Sequence, residues 1–221
     1  MSSPQMNTTR RGRRPAAQRP VDWKTRSECR GADTDDFFST TTAEKDRARA
    51  LCAKCPVIAE CLIEHRATDE EIYRWGIGGG LDAHQRRALE MEELLGNHAD
   101  LALAQLLISP RWLLRLQDLR SSCRSLQEVT RKLRLDGLLV NEVTVRVAVW
   151  WSGGHGSRMA WNCPTDLRPL RSQIREDYMD VVLELRAAGA RQSDIAAYLG
   201  VPGSQGSQAI AKALRAVEVA A

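Results

Sequence analysis

Four cysteines occupy one short stretch of this 221-residue chain: Cys29, Cys52, Cys55 and Cys61, spaced C-x22-C-x2-C-x5-C. Four thiolates at such spacing suffice for a complete zinc site or for an iron–sulfur cluster. Structural zinc sites commonly present two C-x2-C-type pairs. Here Cys52 and Cys55 form such a pair while Cys29 and Cys61 are isolated. The spacing therefore favours a [4Fe–4S] cluster, with zinc as the alternative. The Cys52/Cys55 pair could also serve as a disulfide-reducing dithiol. No βαβ pattern surrounds the motif, as it would in a thioredoxin-like reductase, so the chain is expected not to be an enzyme. Cys123 and Cys163 fall outside any motif and read as small apolar or free thiols. His65, His84, His98 and His155 are scattered and need no ligand role.

The elements that must position these thiols read as helices. Ser39 to Thr42 offer N-caps for a helix over 43–54. Cys52 and Cys55 stand at i and i+3, on one face if helical. Pro56 suits the first position of a second helix, with Val57, Cys61, Leu62 and His65 on one stripe. The N-terminus of that helix would aim backbone N–H groups and the positive dipole end at the Cys52–Cys55 turn, favouring a negatively charged ligand. Gly76, Gly78, Gly79 and Gly80 form a tight turn. Asp82 caps a third helix that ends at Gly96.

Helical patterning continues to the C-terminus, so the expected fold class is all-α. Leu101, Leu103, Leu106 and Leu107 precede a helix restarted by Pro110. Val129, Leu133 and Leu135 with Asp136-Gly137 resemble the second helix and turn of a helix-turn-helix. The valines at 143, 145, 147 and 149 alternate as in a strand, yet Val140, Val143, Val147 and Trp150 share one helical face. Helix is the reading that the preceding helix and turn require. In the last sixty or so residues a helix ends at Gly189, a second carries Ile195, Ala196 and Leu199, and SQAIAKALRAV forms a third. The group resembles a bacterial helix-turn-helix with a long turn. A shift of 66 positions pairs Ile195 with Val129, Leu199 with Leu133 and Val201 with Leu135, suggesting two tandem modules; plain three-helix packing units are the alternative. The expected organisation is a disordered basic arm over 1–21, a cysteine domain over 22–97, a helix-turn-helix-like region over 98–160 and a C-terminal helix-turn-helix-like domain over 161–221.

Charge is unevenly distributed. Residues 1–28 carry seven basic and two acidic side chains, 29–100 nine and fifteen, 101–160 nine and four, and 161–221 seven of each. An acidic segment with basic flanks suggests one part that meets protein and others that meet nucleic acid. No apolar run reaches the ~20 residues of a membrane span, and none follows the basic N-terminus as in a secretory signal. A cytoplasmic protein without membrane contact is expected, with a monomer as the expected oligomeric state.

Trp23 six positions before Cys29, the Asp36-Phe37-Phe38 triplet, CAKCPVIAEC and a glycine turn leading into RRAL resemble the WhiB-like family of actinobacterial and actinophage regulators. The resemblance covers about residues 22–90. It implies a [4Fe–4S] cluster held by Cys29, Cys52, Cys55 and Cys61 within a small helical domain. It implies docking onto the C-terminal region of the primary sigma factor of RNA polymerase through exposed aromatics, which match Trp23, Phe37 and Phe38; burial in the core is the alternative for the Phe pair. It also implies cluster loss followed by disulfide formation. Redox or nitric-oxide sensing follows from the chemistry of a solvent-reachable cluster, and DNA binding is expected from the helix-turn-helix-like modules and the basic arm. The chain departs from the family in two places. The family's turn reads GVWGG where this chain has Gly76-Ile77-Gly78-Gly79-Gly80, and Trp75 is the candidate substitute for the missing tryptophan. The long extension after residue 97 is absent from short members. Finally, Arg10, Arg11, Arg13 and Arg14 in RRGRRP resemble a minor-groove hook interrupted by one arginine; a nonspecific phosphate-binding arm is the alternative.

Overall fold

The computed structural model describes residues 22–67, 75–154, 168–201 and 203–218. The arginines at 10–14, Cys163 and His155 lie outside these. Among the described residues there are twelve α-helices and no strand, with one isolated bridge between Gly78 and Leu81. The all-α expectation holds.

After a 3-10 turn at Trp23–Arg26 come α1 (Asp35–Phe38), α2 (Thr42–Lys54), α3 (Ile58–Ala67) and α4 (Ala83–Leu94). Thr41 caps α2, its side chain accepting from the Glu44 N–H. Asp82 caps α4 in a reciprocal box with Gln85, and Gly96 follows its end at φ +75°. The expected start of α3 at Pro56 is displaced: Pro56 and Val57 form a turn and the helix begins at Ile58.

The extension continues as α5 (Leu101–Leu107), α6 (Pro110–Ser122), α7 (Leu126–Leu135), α8 (Glu142–Trp151), α9 (Leu170–Asp177), α10 (Met179–Ala187), α11 (Gln192–Tyr198) and α12 (Ser204–Glu218). Asn141 caps α8, settling the strand–helix ambiguity in favour of helix. Every residue from Val143 to Trp151 is buried, so α8 has no polar stripe and its periodicity is hidden. A buried α8 also has no free face to offer a DNA groove. Helix α9 was not anticipated; Tyr178 interrupts the path between it and α10. Of the residues paired by the shift of 66, Val129, Leu133, Ile195 and Leu199 are all buried, but Leu135 is exposed where Val201 is half-buried.

One continuous apolar core joins the cysteine region to the extension, from Ile58 and Leu62 on α3, through Leu89 on α4 and α8, to Ile195 on α11 and Ile210 on α12. Helix α11 packs against α4, and α9 and α11 both pack against α12. A buried polar junction crosses the same boundary. Arg146 of α8 ion-pairs with Glu92 of α4 while each side chain is only 1% exposed. The Tyr198 hydroxyl of α11 donates to Glu92 at 2.8 Å, and the Arg146 guanidinium lies 5.8 Å from the Tyr198 ring centroid. Charges so deeply buried persist only when paired and hydrogen-bonded.

Candidate metal centre

Each cysteine comes from a different local setting. Cys29 sits in the exposed turn after the 3-10 segment. That segment is tied to α3: Trp23 Nε1 donates to Glu64 Oε2 at 3.1 Å, Lys24 Nζ lies 2.6 Å from Glu64 Oε1, and Arg26 pairs with Glu60 at 3.3 Å. Cys52 lies in the last turn of α2, and Cys55 caps it, donating its N–H to the Cys52 carbonyl at 3.0 Å. Cys61 lies near the start of α3, its N–H bonded to the Val57 carbonyl at 3.0 Å. All four cysteines line one cavity of about 210 Å³, walled by Phe37, Phe38, Ile58, His65 and the glycine turn.

The glycine turn closes that cavity from the side facing the extension. Gly79 donates its N–H to Cys61 Sγ at 3.3 Å, and the Gly80 N–H serves Cys52. Gly79 has φ +57°, and a Cβ there would lie 2.4 Å from the Leu62 Cα. No side chain fits at this position without moving α3. The neighbouring Gly78 is where the resemblance leads one to expect tryptophan. A Cβ on Gly78 would lie 2.6 Å from three atoms of the His65 imidazole, so His65 occupies the space that a larger residue would need.

Two residues missed in the sequence hold this turn. Arg86, only 4% exposed, donates to the carbonyls of Leu81 at 2.5 Å, Gly76 at 3.2 Å and Trp75 at 3.4 Å. Its signal in the sequence is the RRAL stretch that follows the glycine turn. Trp151, at the end of α8, donates Nε1 to the Gly79 carbonyl at 2.8 Å and abuts Gly80. Nothing local in the sequence announces a contact that spans 72 positions.

The aromatic candidates separate. Trp75 and Phe38 are exposed (67% and 57%), and the backbone of Gly76, next to Trp75, lies against the Phe38 ring, where a Cβ would be 2.8 Å from Cδ1. Phe37 is half-buried against the cavity, and Trp23 is half-buried against Glu64. Trp75 does not turn inward to fill the place of the missing tryptophan. Cys123 is half-buried, away from the cavity.

Burial raises the thiol pKa of Cys52 to about 12 and that of Cys61 to about 11, with charge on neighbouring thiols adding to the shift and the glycine N–H groups opposing it. Burial also lowers the His65 pKa, with Arg86 adding to the effect. A ligand must therefore displace protons from Cys52 and Cys61, as metal ions do. Among the described residues no three His, Cys, Asp or Glu side chains gather closely enough to hold a single ion. Four soft sulfur donors around one cavity suit a thiophilic group, an iron–sulfur cluster or zinc.

A pH dependence follows for the metal-free, reduced protein. Both thiols have folded-state values above their ordinary value of 9.0. Below pH 9 folded and unfolded states carry the same protons, and the stability from this source is complete. Above pH 9 the unfolded chain ionises first, so stability is lost as pH rises towards 11 and 12. Urea titrations at pH 8 and pH 10 should show the loss. At pH 8, iodoacetamide should label exposed Cys29 well before Cys52 and Cys61, as resolved by peptide mass spectrometry. Equal labelling of all three would contradict the burial described above.

A family model described as "Transcription factor WhiB" matches residues 23–89. The chain is 40% identical over 76 residues to the redox-responsive transcriptional regulator WhiB3 of Mycolicibacterium smegmatis, covering 31% of this chain and 75% of that protein. It is 35% identical over 74 residues to the transcriptional regulator WhiB of Streptomyces coelicolor, covering 34% and 82%. It is 34% identical over 73 residues to the transcriptional regulator WhiB4 of Mycobacterium marinum, covering 33% and 60%. The chain thus spans about 60% of the length of the WhiB4 relatives it matches. No solved structure matches significantly.

Proposed function

Because the chain belongs to the WhiB family of transcriptional regulators, we propose that it is a redox- or nitric-oxide-responsive regulator that binds a [4Fe–4S] cluster, the primary sigma factor and DNA. The observation that carries this reading is the shared cavity of Cys29, Cys52, Cys55 and Cys61, with two glycine N–H groups serving sulfur. A bound cluster supplies a group sensitive to oxygen and nitric oxide. The protein supplies its four thiolates, the N–H donors of Gly79 and Gly80 that offset thiolate charge, and apolar walls that exclude water. Exposed Cys29 marks the side from which small oxidants reach the site. Once freed, Cys52 and Cys55 can be oxidised to a disulfide, with two electrons passing to the oxidant and two protons released.

The proposed sigma-factor contact is the exposed pair Phe38 and Trp75, with Phe37 and Trp23 supporting it from half-buried positions. Large exposed aromatics close together in the fold mark interaction surfaces, and the Gly76 backbone lies between this pair. Arg10, Arg11, Arg13 and Arg14 remain proposed DNA contacts. No helix among the described residues is long and apolar enough to cross a membrane.

The reductase alternative gains no support from the site, because its Cys52 thiol is shifted up rather than activated. Anaerobic purification tests the leading reading. About four irons and four sulfides per chain in a brown protein are the expected result; one tightly held zinc in a colourless protein would overturn it. With the loaded protein, Trp75→Ala should weaken binding to the sigma factor's C-terminal region by tenfold or more, on the order of 1.4 kcal/mol or above, as measured by calorimetry. Unchanged affinity would remove Trp75 from the contact.

A further inference from the structure

We infer that α12 reads base sequence in the major groove of duplex DNA. The inference rests on the proposal above that DNA is a partner, and it names the element that would recognise it. Helix α12 is held from one side. Ala209, Ile210 and Ala213 are buried, and α9 and α11 pack against it. Its first turn is fixed by Gly206, where a Cβ would lie 1.7 Å from the Val201 carbonyl oxygen. The helix thus approaches the turn that follows α11 as closely as backbone permits.

The opposite face is composed differently. Ser204, Gln205, Gln208, Lys212 and Arg215 are all exposed, and at 100° per residue they share one arc. That arc contains no carboxylate. Among the described residues, none of these five side chains has a hydrogen-bond or ion-pair partner. By contrast, Arg191 at the start of α11 is neutralised by Asp194 at 2.9 Å, and Arg168 pairs with Glu176 and Asp177. Of the other acids in this region, Asp180 and Glu184 belong to α10, and Glu218 is the last residue of α12, outside the arc.

These residue types suit base edges. Glutamine matches adenine N6 and N7, arginine or lysine matches guanine O6 and N7, and serine bonds either. A helix of about 22 Å, anchored on one side by a preceding helix and turn, is the element that enters the major groove in helix-turn-helix proteins. The segment as a whole is charge-balanced, but the exposed arc itself carries Lys212 and Arg215, and exposed Arg171 and Arg175 lie on the adjoining α9; positive charge placed this way suits phosphates.

The test uses the full chain and a pool of random-sequence 20-base-pair duplexes, selected by binding and sequenced. The wild type should enrich a defined sequence. Gln208→Ala and Arg215→Ala should each weaken binding to the enriched duplex by roughly 5- to 100-fold and relax the preference at one base pair. Lys212→Ala should weaken binding and reduce its salt dependence. These exposed positions tolerate alanine, and unchanged circular dichroism will show retained folding. Wild-type affinity in all three variants, or no enrichment from the pool, would overturn the inference. A variant with Arg10, Arg11, Arg13 and Arg14 replaced by alanine separates the two proposals. If only this variant loses binding, α12 is not the reader and DNA remains a partner. If the wild type binds no duplex, both proposals fall.

Discussion

Arg146→Ala should destabilise the folded chain by about 3–5 kcal/mol, because it leaves a buried carboxylate without its cation. Arg146 and Glu92 are each 1% exposed, and Arg146 also pairs with Glu142 at 3.1 Å. A typical domain has a total stability of about 5–15 kcal/mol, so the variant should approach the limit of folding. Tyr198→Phe removes one hydrogen bond to the charged Glu92 and should cost about 1.5–3 kcal/mol. Replacing both charges, as in Glu92→Leu with Arg146→Met, should recover most of the Arg146→Ala loss, since apolar groups of similar volume avoid the desolvation penalty. Urea denaturation followed by circular dichroism gives all three values. A loss below 1 kcal/mol for Arg146→Ala would mean that water reaches the pair and that the junction is not dry.

Gly79→Ala should act on the site rather than on the fold boundary. The added methyl would meet the Leu62 Cα at 2.4 Å on a backbone at φ +57°. Relief requires movement of the turn or of α3, and either displaces the Gly79 N–H from Cys61 Sγ. Overpacking of this kind costs about 1–3 kcal/mol, to which the backbone conformation adds about 1 kcal/mol. Anaerobically purified Gly79→Ala should retain less than half of the wild-type iron. Gly96→Ala is the matched control: its φ is +75°, but a Cβ there meets nothing within 4 Å. It should lose about 1 kcal/mol and keep its iron. Equal iron in both variants would show that the turn is not needed to hold the group.

The two variants test features of different legibility in sequence. The caps of α4 were legible, because Asp82 and Gly96 are local signals that no distant contact overrides. The cysteine set was legible from spacing, and the structure gathers it around one cavity. Helix α8 was ambiguous for a physical reason: a helix buried on all sides has no stripe, so Val143, Val145, Val147 and Val149 mimic a strand. Helix α9 escaped notice because its buried side rests on Ile174 alone. Helix α3 starts two residues after Pro56, since proline suits a turn as well as a first helical position. Above all, the contacts of Trp151 with Gly79 and of Arg146 and Tyr198 with Glu92 join positions dozens of residues apart. Nothing in a local pattern records such partners.

The separation between Glu92 and Tyr198 also orders events on the ribosome. The two positions are 106 residues apart, an interval of roughly 5–20 s at ordinary elongation rates. During it the cysteine segment has been made while the helices that close over its glycine turn have not. Trp151 arrives within that interval, and Tyr198 ends it. The cavity around the four thiols is lined only by residues between Ser27 and Gly79, so its whole lining is synthesised before the last helices seal the junction.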